Sequence, residues 1–514
     1  MVLKTRMLRL VSDFNLNTVS SSLSYIGIIL FIFSLPFGYS TIFMNSGLFL
    51  VLIGWIGRVI SVGRFTWIKF ELNLPIFIFL LLSIVACIFA PNPSSSSYGY
   101  FWKLLRGILL CYAVIHSGIG IRYRHVLIVL FIASGFSSAL GIWYYLNDTR
   151  LGLDYMGNVD LVYQQELDEA NGFSDSFRHD LRMINIPLTQ KATISTKNNP
   201  NEWYITDTPR SRRYVIRNTE SKLMVFMIEQ RLTGTFKMPN DLGAYLALSL
   251  PLVFGFFLAS FGGMGNIGIS KWGSLGLGII VILMCINLVL TLTRAAWVSV
   301  TISIICIVLY FIFQLYLYTK NTAKSIKPMM LFVAIFLLLI VVIPFILPNH
   351  IKSRLNSIIE RPTGYIGERP IWWKTSLELI QKYPITGIGL GRFRNEYELN
   401  GPKEQYNIPY HAHNIYLHTA VEHGIPSLVI LFWIITLIAK RVLQLRKTLD
   451  NHGYFWGFGM FIGGSGFLIS SLIYGLVDNI LHQRTILLFW FIIGIIYYIQ
   501  IVRDDENEEK FETH

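Results

Sequence analysis

Three residues in this sequence sit where acid–base and anion chemistry are both available. His413 is followed by Asn414 at a point where a polar loop enters an apolar run. A neutral imidazole there can take a proton from a hydroxyl. Taken alone, it reads more readily as a polar residue at an interface. Arg231 opens the stretch Arg231-Leu-Thr-Gly234-Thr-Phe236-Lys-Met-Pro239-Asn240, and Arg294 lies in Thr291-Leu-Thr293-Arg294-Ala-Ala-Trp297. Both arginines adjoin apolar runs. An arginine at a membrane boundary is costly and usually has a partner. Its planar fork matches phosphate oxygens, so two arginines can hold a diphosphate while the histidine sits by an attacking hydroxyl. His411 is a substitute for His413, but only His413 precedes an Asn.

A second group lies between Arg294 and His413. Arg369-Pro-Ile-Trp372-Trp373 is followed by Tyr383-Pro384-Ile-Thr-Gly387-Ile-Gly389-Leu-Gly391-Arg392-Phe393. The Gly387, Gly389 and Gly391 run reads more readily as a plain turn than as a cradle of N–H groups for phosphate. Trp372, Trp373, Leu377 and Ile380 fall near one face of a short helix, which predicts a helix lying in a membrane interface.

The elements that must position these residues are membrane helices. With 514 residues, mean hydropathy +0.52 and charged residues at 14%, the chain is too apolar for an ordinary soluble protein. Its apolar residues come in blocks of about 20, the length that crosses a bilayer. The predicted fold class is all-α: a polytopic integral membrane protein of about 12 transmembrane helices with two long extracytoplasmic loops. The spans run near 23–40, 43–62, 73–91, 99–118, 124–146, 241–261, 273–293, 296–318, 328–347, 418–438, 454–476 and 485–502. Five spans therefore fill 1–146, a long loop fills 147–240, four more spans fill 241–347, the site loop fills 348–417, and three spans fill 418–502. The acidic tail 503–514 reads as a solvated, disordered end.

Basic loops lie on one side: the N-terminus, Arg58 and Arg64, Arg122 and Arg124, Lys271, Lys320 to Lys327, and Lys440 to Lys447. The positive-inside rule makes that side cytoplasmic, with both termini there and the two long loops, Arg231, Arg294 and His413 opposite. Topology and these long loops account for an excess of 43 Lys and Arg over 30 Asp and Glu. Nucleic acid is not the implied partner. The four cysteines, Cys87, Cys111, Cys285 and Cys306, all lie in apolar blocks, which predicts neither disulfides nor a zinc site. The first span reads as retained, not as a cleaved signal.

Other polar groups have blander explanations beside functional ones. The arginines at 210, 212, 213 and 217 read as a solvated or headgroup-facing surface. Glu166, Asp168 and Glu169 read as surface acids. Lys103 and Arg106 either contact lipid phosphate or snorkel. Asp478, Asn479, His482 and Arg484, between the last two spans, read as a structural ion pair more readily than as catalysts.

Together these motifs resemble the O-antigen ligase family, whose membrane domain is shared with O-antigen polymerases and some protein O-oligosaccharyltransferases. Four elements carry the resemblance: Arg231 to Asn240; Thr293-Arg294; Arg369 through Gly387 and Gly389; and His413-Asn414, nine residues, then Gly424. Ser427 stands where ligases usually have Gly, Thr or Tyr. The matched region spans 231–427 and is specific for the superfamily, not for one branch. The resemblance implies a glycosyltransferase needing no metal or cofactor. Its donor would be a glycan on undecaprenyl diphosphate in a cytoplasmic (inner) membrane. Its acceptor would be a glycan, lipid or protein hydroxyl, in lipopolysaccharide or surface polysaccharide synthesis. His413 would be catalytic, Arg231 and Arg294 would bind the diphosphate, and Asn414, Arg369, Asn240, Gly387 and Gly389 would support them. A transporter is the competing class, since about twelve spans is a common transporter count. It would place charges at the bilayer midplane and repeat its halves, and neither is visible here. A non-catalytic scaffold is a third reading; it predicts that Arg231, Arg294 and His413 are dispensable.

Overall fold

The computed structural model describes residues 16–512 apart from 39, 63–69, 148–150, 170–172, 185, 187, 189–191, 197–200, 208–211, 220–221, 262–268, 323–368, 403–408, 449–453 and 480–482. Five helices come first: α1 (Leu16–Ser34), α2 (Thr41–Val62), α3 (Asn73–Ile88), α4 (Ser96–Ile115) and α5 (Tyr123–Leu146). Strand β1 (Leu151–Val159), short helices α6 (Gln164–Glu169) and α7 (Asp175–Met183), and strands β2 (Ala192–Thr196), β3 (Glu202–Asp207), β4 (Arg212–Asn218) and β5 (Leu223–Leu232) follow. Then come α8 (Pro239–Phe261), α9 (Lys271–Leu290) and α10 (Arg294–Thr322). Beyond 368 lie α11 (Arg369–Lys382), α12 (Phe393–Asn400), α13 (Ile415–His423), α14 (Ile425–Gln444), α15 (Tyr454–Gly475) and α16 (Gln483–Glu512).

Among the described residues nine helices are long and apolar enough to cross a membrane: α1, α2, α5, α8, α9, α10, α14, α15 and α16. Of the other expected spans, α3 is apolar but only 16 residues long, and α4 carries Lys103 and Arg106 within its 20 residues. The span expected at 328–347 lies outside the described residues. The span expected from 418 divides into two helices, α13 and α14, at Gly424.

Helix α8 forms the centre of the bundle, buried along almost its whole length. It meets α15 with almost no side chain between the backbones: a Cβ on Gly255 would lie 2.2 Å from the Gly463 nitrogen. Helices α1 and α2 cross in the same way, where a Cβ on Gly47 would reach 2.6 Å from the Phe31 nitrogen. Small residues let membrane helices gain packing where lipid supplies no hydrophobic drive.

The all-α expectation fails in the first long loop. Its strands form a five-stranded antiparallel sheet in the order β1-β5-β4-β3-β2. Trp203, Ile205, Tyr214, Ile216, Leu223 and Val225 alternate onto one face, where they enclose a core with Phe177 and Leu181 of α7. Period-two alternation of β-branched and aromatic residues is the physical cause. The acids lie at the surface as expected, and two of them, Glu166 and Asp168, also brace the domain. Glu166 accepts the Ser174 hydroxyl at the start of α7, and Asp168 accepts the Trp203 indole N–H at 2.9 Å. Arg217 pairs with Glu202 at 2.7 Å and lies over the Phe226 ring. The acidic tail also departs from expectation, because α16 runs on to Glu512. Extending an existing helix needs no new nucleus, and the Glu and Lys of this tail are good helix formers.

Candidate functional site

The sheet leads straight into the site. Arg231 is the penultimate residue of β5, and the turn after it delivers Asn240 into the first turn of α8. The Arg231 Nε donates to the Thr291 carbonyl at 2.9 Å, at the end of α9. One terminal nitrogen donates to Asn240 Oδ1 and, at 3.3 Å, to Thr293 Oγ1. Thr293 immediately precedes Arg294, the first residue of α10. The structure thus brings together Arg231, Asn240 and the α9–α10 junction that carries Arg294.

The second half of the site is built by α11, α13 and the end of α15. His413 Nδ1 is 3.0 Å from Asp478 Oδ1, and both residues are buried. The His413 ring stacks on fully buried Trp372, with centroids 4.9 Å apart. The neighbouring Trp373 donates its indole N–H to the Ala412 carbonyl at 3.0 Å. Asn414 caps α13 by accepting from the N–H groups of Tyr416 and Leu417, and its own amide donates to the Leu476 carbonyl, two residues before Asp478. The His-Asn pair is therefore one device: the cap fixes the helix start and ties it to the turn bearing the carboxylate.

Burial opposes ionisation of Asp478. The hydrogen bond from His413, and the charges of His413, His411 and Arg369, outweigh it and hold the carboxyl well below the usual carboxylate range. The ionised Asp478 carboxylate faces His413 Nδ1 and so orients the imidazole. Tyr474, at the end of α15, is buried four residues before Asp478. The two non-glycine residues with positive φ among the described residues are Leu292 and His413, one in each half. Such backbone conformations cost about 1–3 kcal/mol and persist where the surroundings dictate them.

Several expectations need correction. Gly387 and Gly389 do not offer their N–H groups to a phosphate. Gly387 donates to the Tyr383 carbonyl at 3.1 Å and Gly389 to the Glu422 carbonyl at 3.1 Å. The Glu422 carboxylate takes the N–H groups of Gly391 and Phe393. The run is a turn that grips the end of α13. Helix α11 does not lie with Trp372, Trp373, Leu377 and Ile380 on one interfacial face either: Trp372 and Leu379 point into a core with Ile388, Phe393 and Val421, while Leu377 is exposed. Asp478 pairs with His413 instead of Arg484. The Arg484 guanidinium is spent on the carbonyls of Ser34, Leu35 and Gly38 at the end of α1. His482 lies outside the described residues. Asp478 is the residue that sequence reasoning undervalued; the signal was an acid at the entrance to a span on the same face as His413. His423, by contrast, is packed on Phe79 and bonded to Ser83 at 2.9 Å. Burial, and then the charge of His418, push its imidazole down to about 3, so it is a neutral structural residue.

Residues 279–432, from within α9 to within α14, match the family model described as O-antigen ligase. This segment of the chain is similar to the O-antigen ligase family. No protein in the curated set matches the chain. The O-antigen ligase match covers Arg294, Arg369 and His413, whereas Arg231 and Asp478 flank it.

Gly424 carries the joint between α13 and α14, with φ +85 and ψ 165. That region is accessible essentially to glycine alone, and a Cβ there would lie 1.9 Å from the Ile385 carbonyl oxygen. Gly424→Ala is expected to destabilise the protein by at least the roughly 1–3 kcal/mol of backbone strain. Thermal unfolding in detergent checks this; a melting temperature equal to wild type would refute it.

Proposed function

We propose that this protein transfers a glycan from a lipid diphosphate, in bacterial form undecaprenyl diphosphate, to an acceptor hydroxyl at the extracytoplasmic face of a cytoplasmic membrane. The observation that carries the reading is the buried His413–Asp478 pair. It sets an imidazole ring nitrogen against a buried carboxylate, the arrangement that orients a general base. In the reaction, His413 Nε2 takes the acceptor hydroxyl proton as that oxygen bonds to the anomeric carbon. The bond from that carbon to the phosphate oxygen breaks, and the lipid diphosphate leaves with the electron pair. Arg231 and Arg294 offset the charge that develops on the leaving group, an effect that is large where water is excluded.

Arg369 fits the same task. Its field acts on Asp478, and its Nε is buried with no hydrogen-bond partner among the described residues, as expected of a donor reserved for an anionic ligand. The charged groups cluster at helix ends, which disfavours a transporter with a midplane site. The chemistry asks nothing of a metal, because the base, the orienting carboxylate and the phosphate-binding cations are all side chains.

The test is transfer by purified protein in detergent from a glycan on undecaprenyl diphosphate, with chelator present. Transfer that resists the chelator supports the proposal. Analysis of the product separates ligation to a lipid or protein from extension of a second lipid-linked glycan, the polymerase reaction. A well-folded protein that transfers to no acceptor would overturn it.

A further inference from the structure

We infer that His411, His413 and Asp478 form a binding site for a zinc-class divalent cation, and that its occupation switches transfer off. The second half of this inference rests on the function proposed above; the first does not. One ligand atom from each residue lies within 4.8 Å of the other two. His413 Nδ1 and Asp478 Oδ1 are already 3.0 Å apart, and the two imidazole rings have centroids 4.1 Å apart. Zinc bonds nitrogen and oxygen at about 2.0–2.2 Å in tetrahedral geometry, which separates its ligand atoms by roughly 3.3 Å. The longest gap therefore closes with a movement of about 1.5 Å, within reach of a rotation of the half-buried His411 side chain.

The donor set selects the metal. Two imidazoles and one carboxylate suit Zn2+, Co2+ or Ni2+, not Mg2+ or Ca2+, which favour oxygen. Three protein ligands leave a fourth position for water. The Arg369 charge, which acts on Asp478, works against the cation and limits its affinity.

Inhibition follows from the imidazole's two nitrogens. Metal on His413 Nδ1 displaces the proton that faced Asp478. A neutral imidazole then carries its single proton on Nε2. The nitrogen that would accept the acceptor's proton becomes a donor, and the base is lost while the fold is kept.

Co2+ is the probe, because its tetrahedral complexes absorb visible light strongly. Purified protein in detergent is titrated with CoCl2 and then with ZnCl2. The inference expects a one-to-one absorbance change that Zn2+ removes, and that is lost in both His411→Ala and Asp478→Asn. It also expects Zn2+ at the same concentration to lower transfer at least tenfold, with recovery on adding chelator. No saturable absorbance in wild type, or one unchanged in both variants, overturns the site. Saturable absorbance with undiminished transfer overturns the inhibitory role. A protein that binds Co2+ yet never transfers glycan instead overturns the function proposed above.

Discussion

His413→Ala is expected to lower the turnover of glycan transfer by roughly 10²–10⁴-fold, the range that a general base contributes. The loss should fall on kcat, with KM for the lipid-linked donor little changed, because His413 acts on the acceptor's proton. Removal of the ring also leaves Trp372 without its stacking partner. His413→Gln, which keeps a planar polar group, separates lost chemistry from lost packing and should be nearly as inactive. Asp478→Asn tests the orienting carboxylate. An Asn amide can donate to Nδ1 and favour the wrong tautomer, so a loss of about 10²-fold or more is expected. Steady-state kinetics on folded, monodisperse protein decides the matter. His413→Gln at wild-type turnover would remove His413 from the mechanism.

How far the sequence reveals this site depends on the range of the interactions involved. The helical spans are legible because about 20 apolar residues is a local property. His413, Asn414, Arg231 and Asn240 are legible because each sits in a short motif at a span entrance. Asp478 lies 65 residues from its partner, and nothing near it in the chain shows that it meets His413. The glycine run is legible as a turn, the reading favoured above, but its partners are not. A Gly-rich stretch fixes a turn, but where its N–H groups point depends on α13 and the Glu422 carboxylate. The sheet between α5 and α8 escapes an all-helical reading because its strands are only five to ten residues long and are interrupted by short helices. Their apolar residues alternate, so they never form the continuous runs that mark a span.

That sheet gives Arg231 its precision, and substitution there is the second large effect expected. Arg231→Ala should lower kcat by roughly 10²–10³-fold, the cost of losing one charged donor to a developing oxyanion. The guanidinium uses Nε on the Thr291 carbonyl while a terminal nitrogen reaches Asn240 and Thr293, so its plane is set by three elements at once. Lysine keeps the charge but has no planar fork to hold that orientation. Arg231→Lys should therefore recover only a small part of the activity. Asn240→Ala leaves the charge and removes one of its constraints, so its defect should be smaller than that of either arginine variant. If the arginine were purely structural, a tie between β5 and the α9–α10 junction, the order would differ. Melting temperature would then fall in step with activity, and Arg231→Lys and Asn240→Ala would lose both to similar extents. Measuring kcat and thermal unfolding together for the three variants separates the two roles. A large loss of kcat at an unchanged melting temperature is the result expected of a group that meets the leaving diphosphate.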